Sequence, residues 1–172
     1  MKVAAVQLTS TGNVTENQEL ALAKIREAAG NGARLIVLPE ATAQNFRSGR
    51  LDEQAQTLEG PFATAIQALA EELEVTVVAG MFCPADTVER EGKTINRVTN
   101  TALIAGPGVL GGYDKIHTYD AFDYRESDTV LAGESLVAFD VDDLIVGVAT
   151  CYDIRFPEPV SYTHLRAHET DS

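Results

Sequence analysis

Three short apolar runs, KVAAVQL at 2–8, ARLIVLPE at 33–40 and VTVVAGMF at 75–82, are separated by two segments of helical periodicity. This alternation constrains the fold more than any other feature of the chain. Several of the runs are apolar on both alternating faces, the pattern of a strand covered by other layers on two sides. In the first intervening segment Thr15, with Gln18 three residues on, resembles a capping box; Leu22, Ile25 and Ala29 fall on one helical face, and Gly30 marks the stop. In the second, Pro61 stands at the tolerated first-turn position, and Phe62, Ile66, Leu69 and Leu73 recur at spacings of three and four. Strand, helix, strand, helix, strand predicts an α/β fold with parallel pairing. Three more apolar runs, TNTALIAG, SLVAFDV and LIVGVAT, follow without long helices. They predict hairpins added to the same sheet, with GPGVLGGYD and AGES as turns.

The 172 residues fit one domain, and 45% apolar with 23% charged residues is a composition that can bury a core. The 13 basic residues against 26 acidic ones leave a formal charge of −13, which repels phosphate backbones and anionic membrane surfaces. Nucleic acid and membrane are therefore not expected as partners. No stretch approaches the roughly 20 apolar residues needed to cross a bilayer, and the start turns polar at Gln7, too early for a signal-peptide apolar segment. The reading is of a cytoplasmic protein. Cys83 and Cys151 are too few for a disulfide framework and suit a reducing compartment, which leaves thiol chemistry open.

Three reactive side chains stand at the ends of these runs, where loops on a rigid scaffold carry function. Glu40 closes ARLIVLPE directly after Pro39; taken alone it reads as a strand-terminal carboxylate in solvent. Lys115, in GGYDKIHTYD, reads alone as a surface lysine. Cys151 ends LIVGVAT and precedes YDIRFPE, in which Pro157 and Glu158 look like a helix start. Strand, tight turn and helix would hold its side chain near backbone N–H groups, a geometry that favours a thiolate and an oxyanion, although an inert buried cysteine fits the same residues. Cys83 has no charged partner or helix start nearby and reads as core. Together, glutamate, lysine and cysteine supply a base, a positive group and a nucleophile.

LPE after a strand, KIH after YD, and CYDIRFPE after a strand resemble the three signature segments of the nitrilase, or carbon–nitrogen hydrolase, superfamily. KVAAVQL and YRESDTVLAGES resemble it too, so the likeness covers about positions 2 to 158, a domain of 1–158. The resemblance implies that Glu40 is the general base, Cys151 the nucleophile, and Lys115, with the backbone N–H of Tyr152, the group that stabilises the tetrahedral intermediate. It gives Glu126 a place beside the lysine, helping to orient substrate, and His117 a supporting place. It implies a four-layer α-β-β-α sandwich, hydrolysis of a small linear amide through a cysteine thioester, no metal or organic cofactor, and a homo-oligomer. KIHTYDAFDYRESDT and CYDIRFPE look most like the amidase branches, such as ω-amidases and deaminated-glutathione amidases. A substrate bearing a carboxylate would want a cation, for which Arg155 and Arg125 are the candidates, a structural ion pair being the other reading of each. The rival mechanism, a cysteine paired with histidine, would have to use His117.

After CYDIRFPE the family pattern implies a further amphipathic helix, strands and helices, whereas the segment 159–172 has few aliphatic residues and holds His164 and His168. Two imidazoles four residues apart are a weak metal signal and read as solvated side chains. The expectation is an incomplete sandwich with a tail at 159–172 foreign to the fold. Two further readings of function stay open: a non-catalytic remnant that only self-associates, and an acyl-transfer branch of the same superfamily.

Overall fold

A computed structural model of the chain describes residues 1–121, 124–158 and 161. The alternation at the front folds as read: β1 (Val3–Ala5), α1 (Val14–Gly30), β2 (Leu35–Val37), α2 (Pro61–Glu72) and β3 (Thr76–Arg90), with β1, β2 and β3 paired in parallel. β4 (Lys93–Gly106) and β5 (Val109–Asp114) then return antiparallel, giving a sheet of order β1-β2-β3-β4-β5. Two short pieces, β6 (Asp120–Ala121) and β7 (Tyr124–Arg125), pair with each other, and β8 (Val130–Leu131) adds parallel to β4. β9 (Ala138–Val141) and β10 (Leu144–Gly147) form a separate antiparallel hairpin. Among the described residues, no helix is long and apolar enough to cross a membrane.

The central sheet is covered on both faces, and the period of two along its strands decides which side chain meets which layer. Ile36, Val77, Ala79, Leu103 and Ala105 pack with Ile25 of α1 and with Phe62 and Ile66 of α2. Their neighbours Leu35, Val78 and Ile104 point the other way and pack with Phe139, Val141 and Val146 of the β9–β10 hairpin. The molecule is thus a mixed α/β fold in which helices, a sheet and a second small sheet lie in successive layers. The hairpin is not an extension of the first sheet, as the sequence had suggested, because its apolar face is buried against that sheet instead of its edge being paired with it.

Two local expectations are corrected. Asn13, not Thr15, caps α1, its side-chain oxygen accepting from the N–H groups of Thr15 and Glu16. The buried stripe then runs through Val14, Asn17, Ala21, Ile25 and Ala28, leaving Leu22 and Ala29 half-buried at its margin. GPGVLGGYD is a turn only at Pro107–Gly108, where Gly108 takes φ 73°; Gly106 ends β4 and Val109–Asp114 is β5, whose Gly111 and Gly112 conceal a strand from a reading by propensity. The boundary expected after Glu158 falls where the described residues end. The expectation for 159–172, His164 and His168 included, lies outside them apart from Ser161.

The way β2 leaves the sheet positions the first reactive carboxyl. Gly80 N–H donates to Pro39 O (3.1 Å), and Ala43 N–H donates to Gly80 O (3.0 Å), so the chain around Glu40 lies directly on β3. A Cβ on Gly80 would stand 1.5 Å from Glu40 O and 2.1 Å from Glu40 C. Gly80→Ala therefore cannot be accommodated without moving the Glu40 backbone. It is expected to lower unfolding stability by about 2 kcal/mol, as forced overpacking does; a denaturant midpoint equal to that of the wild type would contradict this close approach.

Candidate active site

Burial of a lysine organises the site. Lys115 follows β5, its N–H donating to Asn100 O (2.9 Å) and its carbonyl accepting from Gly133 N–H (2.9 Å), and its side chain is only 2% exposed. Nζ lies 3.1 Å from Glu40 Oε1, and 3.1 and 2.9 Å from the two oxygens of Glu126. Burial alone would push the ammonium toward neutrality, but the two carboxylates outweigh it and hold its pKa above the ordinary 10.5. The group is charged throughout the neutral range.

The two glutamates are not equivalent. Glu126 is buried, and both of its oxygens are committed: Oε1 accepts from Lys115 and from Asn100 Nδ2 (3.3 Å), Oε2 from Lys115 and from Tyr119 N–H (2.7 Å). Glu40 accepts from Lys115 and from Asn100 Nδ2 (2.8 Å) through Oε1 alone. Its Oε2 accepts from no nitrogen donor among the described residues. A carboxylate with one oxygen tied down by two nitrogen donors and the other free of them can take a proton in a fixed direction, whereas Glu126 is anchored on both sides.

Cys151 opens the 3₁₀ turn Cys151–Arg155 with φ 52°, a left-handed conformation that a non-glycine residue holds only when its surroundings impose it. Here a capping box imposes it: Asp153 N–H donates to the Thr150 side chain, and Thr150 N–H donates to Asp153 Oδ2 (3.0 Å). Asp153 is fully buried and also accepts from Tyr113 OH (2.6 Å) and His117 N–H (2.8 Å). One carboxylate thus ties the lysine-bearing segment to the cysteine-bearing turn. His117 Nδ1 lies 2.9 Å from Asp153 Oδ1, and its ring stacks on Phe156 at 3.6 Å. No hydrogen bond joins His117 to Cys151 among the described residues, and the titratable groups acting on the thiol are Glu40 and Lys115.

The surroundings of the thiol disfavour the thiolate, contrary to the expectation of a geometry that favours it. Partial burial and the adjacent Glu40 carboxylate raise its pKa above 9.0, and Lys115 and the Tyr152 N–H oppose them without prevailing. The pairing of Lys115 with two carboxylates explains why its charge counts for little at the sulfur. Cys83 packs against the core, and burial raises its pKa too.

Over Glu40, Lys115, Glu126 and Cys151 opens a cavity of about 490 Å³, within the ordinary size range of small-molecule sites. Phe46, Arg47, Tyr119 and Ala121 also line it. The structure therefore brings Glu40, Lys115, Cys151 and Glu126 together as read from sequence. It places His117 and Tyr152 in an adjoining aromatic layer, in which Tyr152 meets Tyr119 and Phe156 edge-on. Arg155 is exposed and does not line the cavity, and Arg125 lies 3.8 Å from Asp128. Sequence reasoning missed Asn100 and Asp153.

Residues 2–169 match the carbon–nitrogen hydrolase family. The chain belongs to that family. It is 41% identical over 170 residues to a hydrolase of Mycobacterium tuberculosis, covering 96% of this chain and 56% of that protein. A deaminated glutathione amidase of Synechocystis is 36% identical over 167 residues, with 92% of this chain and 60% of that protein covered. Among solved structures, a nitrilase-superfamily member of branch 10, Nit3 of Saccharomyces cerevisiae, superposes with a TM-score of 0.75 at 25% identity, over 97% of this chain and 61% of that one. The chain spans little more than half the length of the curated relatives it matches.

The electrostatics of this carbon–nitrogen hydrolase site can be tested at the sulfur. Glu40→Gln removes the negative charge that disfavours the thiolate, so the Cys151 pKa is expected to fall below its wild-type value. Ultraviolet thiolate absorbance against pH, read in a Cys83→Ala background as the difference from the same chain with Cys151→Ala so that tyrosine ionisation cancels, measures the shift. An unchanged or higher midpoint would mean that Glu40 does not act on the thiol.

Proposed function

We propose that the site hydrolyses a small linear amide to a carboxylic acid and ammonia through a thioester on Cys151. The observation that carries this reading is the division of labour at Glu40: one oxygen is held by Lys115 and Asn100, the other by no nitrogen donor among the described residues, and the carboxylate acts on the adjacent thiol and raises its pKa. A protonated nucleophile beside a carboxylate calls for general-base activation during attack, not a preformed thiolate.

In the first half-reaction Glu40 takes the thiol proton as sulfur bonds to the amide carbon. The developing oxyanion is stabilised by the Lys115 ammonium and the Tyr152 N–H. Glu40 then returns the proton to the nitrogen, the carbon–nitrogen bond breaks, and ammonia leaves. In the second half, Glu40 takes a proton from water as its oxygen attacks the thioester carbon. The carbon–sulfur bond breaks, and the proton passes to sulfur. One amide and one water are consumed, one acid and one ammonia are released, and Glu40 and Cys151 regain their starting protonation. Every proton moves through Glu40 and the bond is made by the thiol, so these residues suffice for the chemistry. Glu126 has no free oxygen for such transfers; its part is to hold Lys115.

The relatives named as amidases support the substrate class in its broad form. The test is ammonia release from short aliphatic amides. Cys151→Ala is expected to abolish it, and Glu40→Gln to lower kcat by at least about a hundredfold with the fold retained. Ammonia release that survives Cys151→Ala, or Glu40→Gln turning over at the wild-type rate, would overturn the mechanism.

A further inference from the structure

Besides the larger cavity over Lys115 and Glu126, a smaller one of about 150 Å³ adjoins Glu40 and Cys151, the two residues that border both. Val37, Val78 and Ala102 line it from β2, β3 and β4, and Val148 and Thr150 from the segment that leads from β10 to Cys151. Small residues make the room. The Glu40 backbone rests on Gly80, and Ala102, paired with Gly80 across β3 and β4, keeps the space beside it open.

The walls are largely apolar, and the polar groups gather at one end. There stand the Glu40 carboxylate and Asn100, which borders this cavity and not the larger one. Asn100 is 1% exposed; its Nδ2 is spent on the two glutamates, and its buried Oδ1 accepts from no donor among the described residues. A buried carbonyl oxygen left without a protein donor calls for a water or a ligand. Glu40 Oε2 is likewise free of nitrogen donors, and the thiol beside it has no proton to give once it is acylated. Two acceptors at the polar end of a small cavity match one water molecule, which has two hydrogens to donate. At about 30 Å³ per water, the cavity has room for that molecule and a few behind it.

Hydrolysis of a thioester needs water at the moment when the acyl group occupies the larger cavity. The smaller cavity reaches the same carboxylate and sulfur without crossing that space. We infer that it is the binding site of the hydrolytic water, held between Glu40 Oε2 and Asn100 Oδ1. The water oxygen bonds to the thioester carbon, one of its protons passes to Glu40 and on to sulfur, and the carbon–sulfur bond breaks. Asn100 thus serves the second half-reaction in addition to holding the glutamates. The inference rests on the thioester of the proposed function, but not on an amide as its source: an ester that acylates Cys151 tests it equally.

The probe is p-nitrophenyl acetate. Acylation is read from nitrophenol release in the first turnover, and deacylation from the loss of acetyl mass on Cys151 after the ester is exhausted. Glu40 serves both steps, so a residue that only props Glu40 slows both alike, whereas a residue that holds the water slows deacylation further. In Asn100→Ala the ratio of the acylation rate to the deacylation rate is expected to rise about 10-fold, the loss of one hydrogen bond. Ala102→Leu and Val148→Leu fill the cavity from its two walls, and each is expected to raise the ratio by about the same factor by displacing the water. An unchanged ratio in Asn100→Ala, or in both filling variants, overturns the water site. A raised ratio in a chain that releases no ammonia from amides supports the water site, and only the amide reading fails. Cys151 that takes up no acetyl group overturns both.

Discussion

Lys115 carries a full positive charge into a place that solvent hardly reaches, and most of the site's geometry follows from how that charge is offset. Taking an ammonium out of water costs several kcal/mol, and the cost is met only with well-placed carboxylates. Glu40 comes from the end of β2 and Glu126 from the short helical turn before β8, so the lysine draws together segments 75 and 11 residues away along the chain. Asn100 closes the arrangement by donating to both carboxylates, which keeps two negative groups aligned on one cation. Removing the lysine would leave two carboxylates facing one another. Removing either carboxylate would expose the thiol to a less compensated ammonium.

The same arrangement explains the state of the nucleophile. A free lysine beside a cysteine would favour a thiolate; here partial burial and then the Glu40 carboxylate disfavour it, and a lysine already shared by two carboxylates does not prevail. On the proposed mechanism the reactive form is produced only while a base accepts the proton. This limits unwanted alkylation and oxidation of a cysteine that lies exposed at the mouth of the site. Asp153 plays the complementary mechanical part: it holds the left-handed Cys151 turn, the Tyr113 hydroxyl and His117 with one buried carboxylate.

Much of the layered fold was legible in the sequence because strands apolar on both faces admit few arrangements. Leu35 against Ile36, and Val78 against Val77, face different layers, as such runs require. The α1 register was misread because Thr15 and Gln18 imitate a capping box two residues inside the helix that Asn13 caps. β5 was hidden by its glycines, one of which, Gly112, lies so close to Thr101 that a Cβ there would stand 2.8 Å from its Cγ2. Glu40, Lys115 and Cys151 were visible because each ends a run of a different character. Asn100 and Asp153 were not, since an amide inside a strand and an acid in a turn are ordinary until the fold shows what they hold.

The central claim is that the bond to carbon is made by Cys151, and the most direct measurement is the intact mass of the protein quenched during turnover, followed by peptide mapping. Acid quenching in the presence of an amide should reveal a population heavier by the acyl group, on the Cys151 peptide alone and absent from Cys151→Ala. Ammonia release with no acyl mass on Cys151 at any quench time, or with the label on Cys83, would contradict the account.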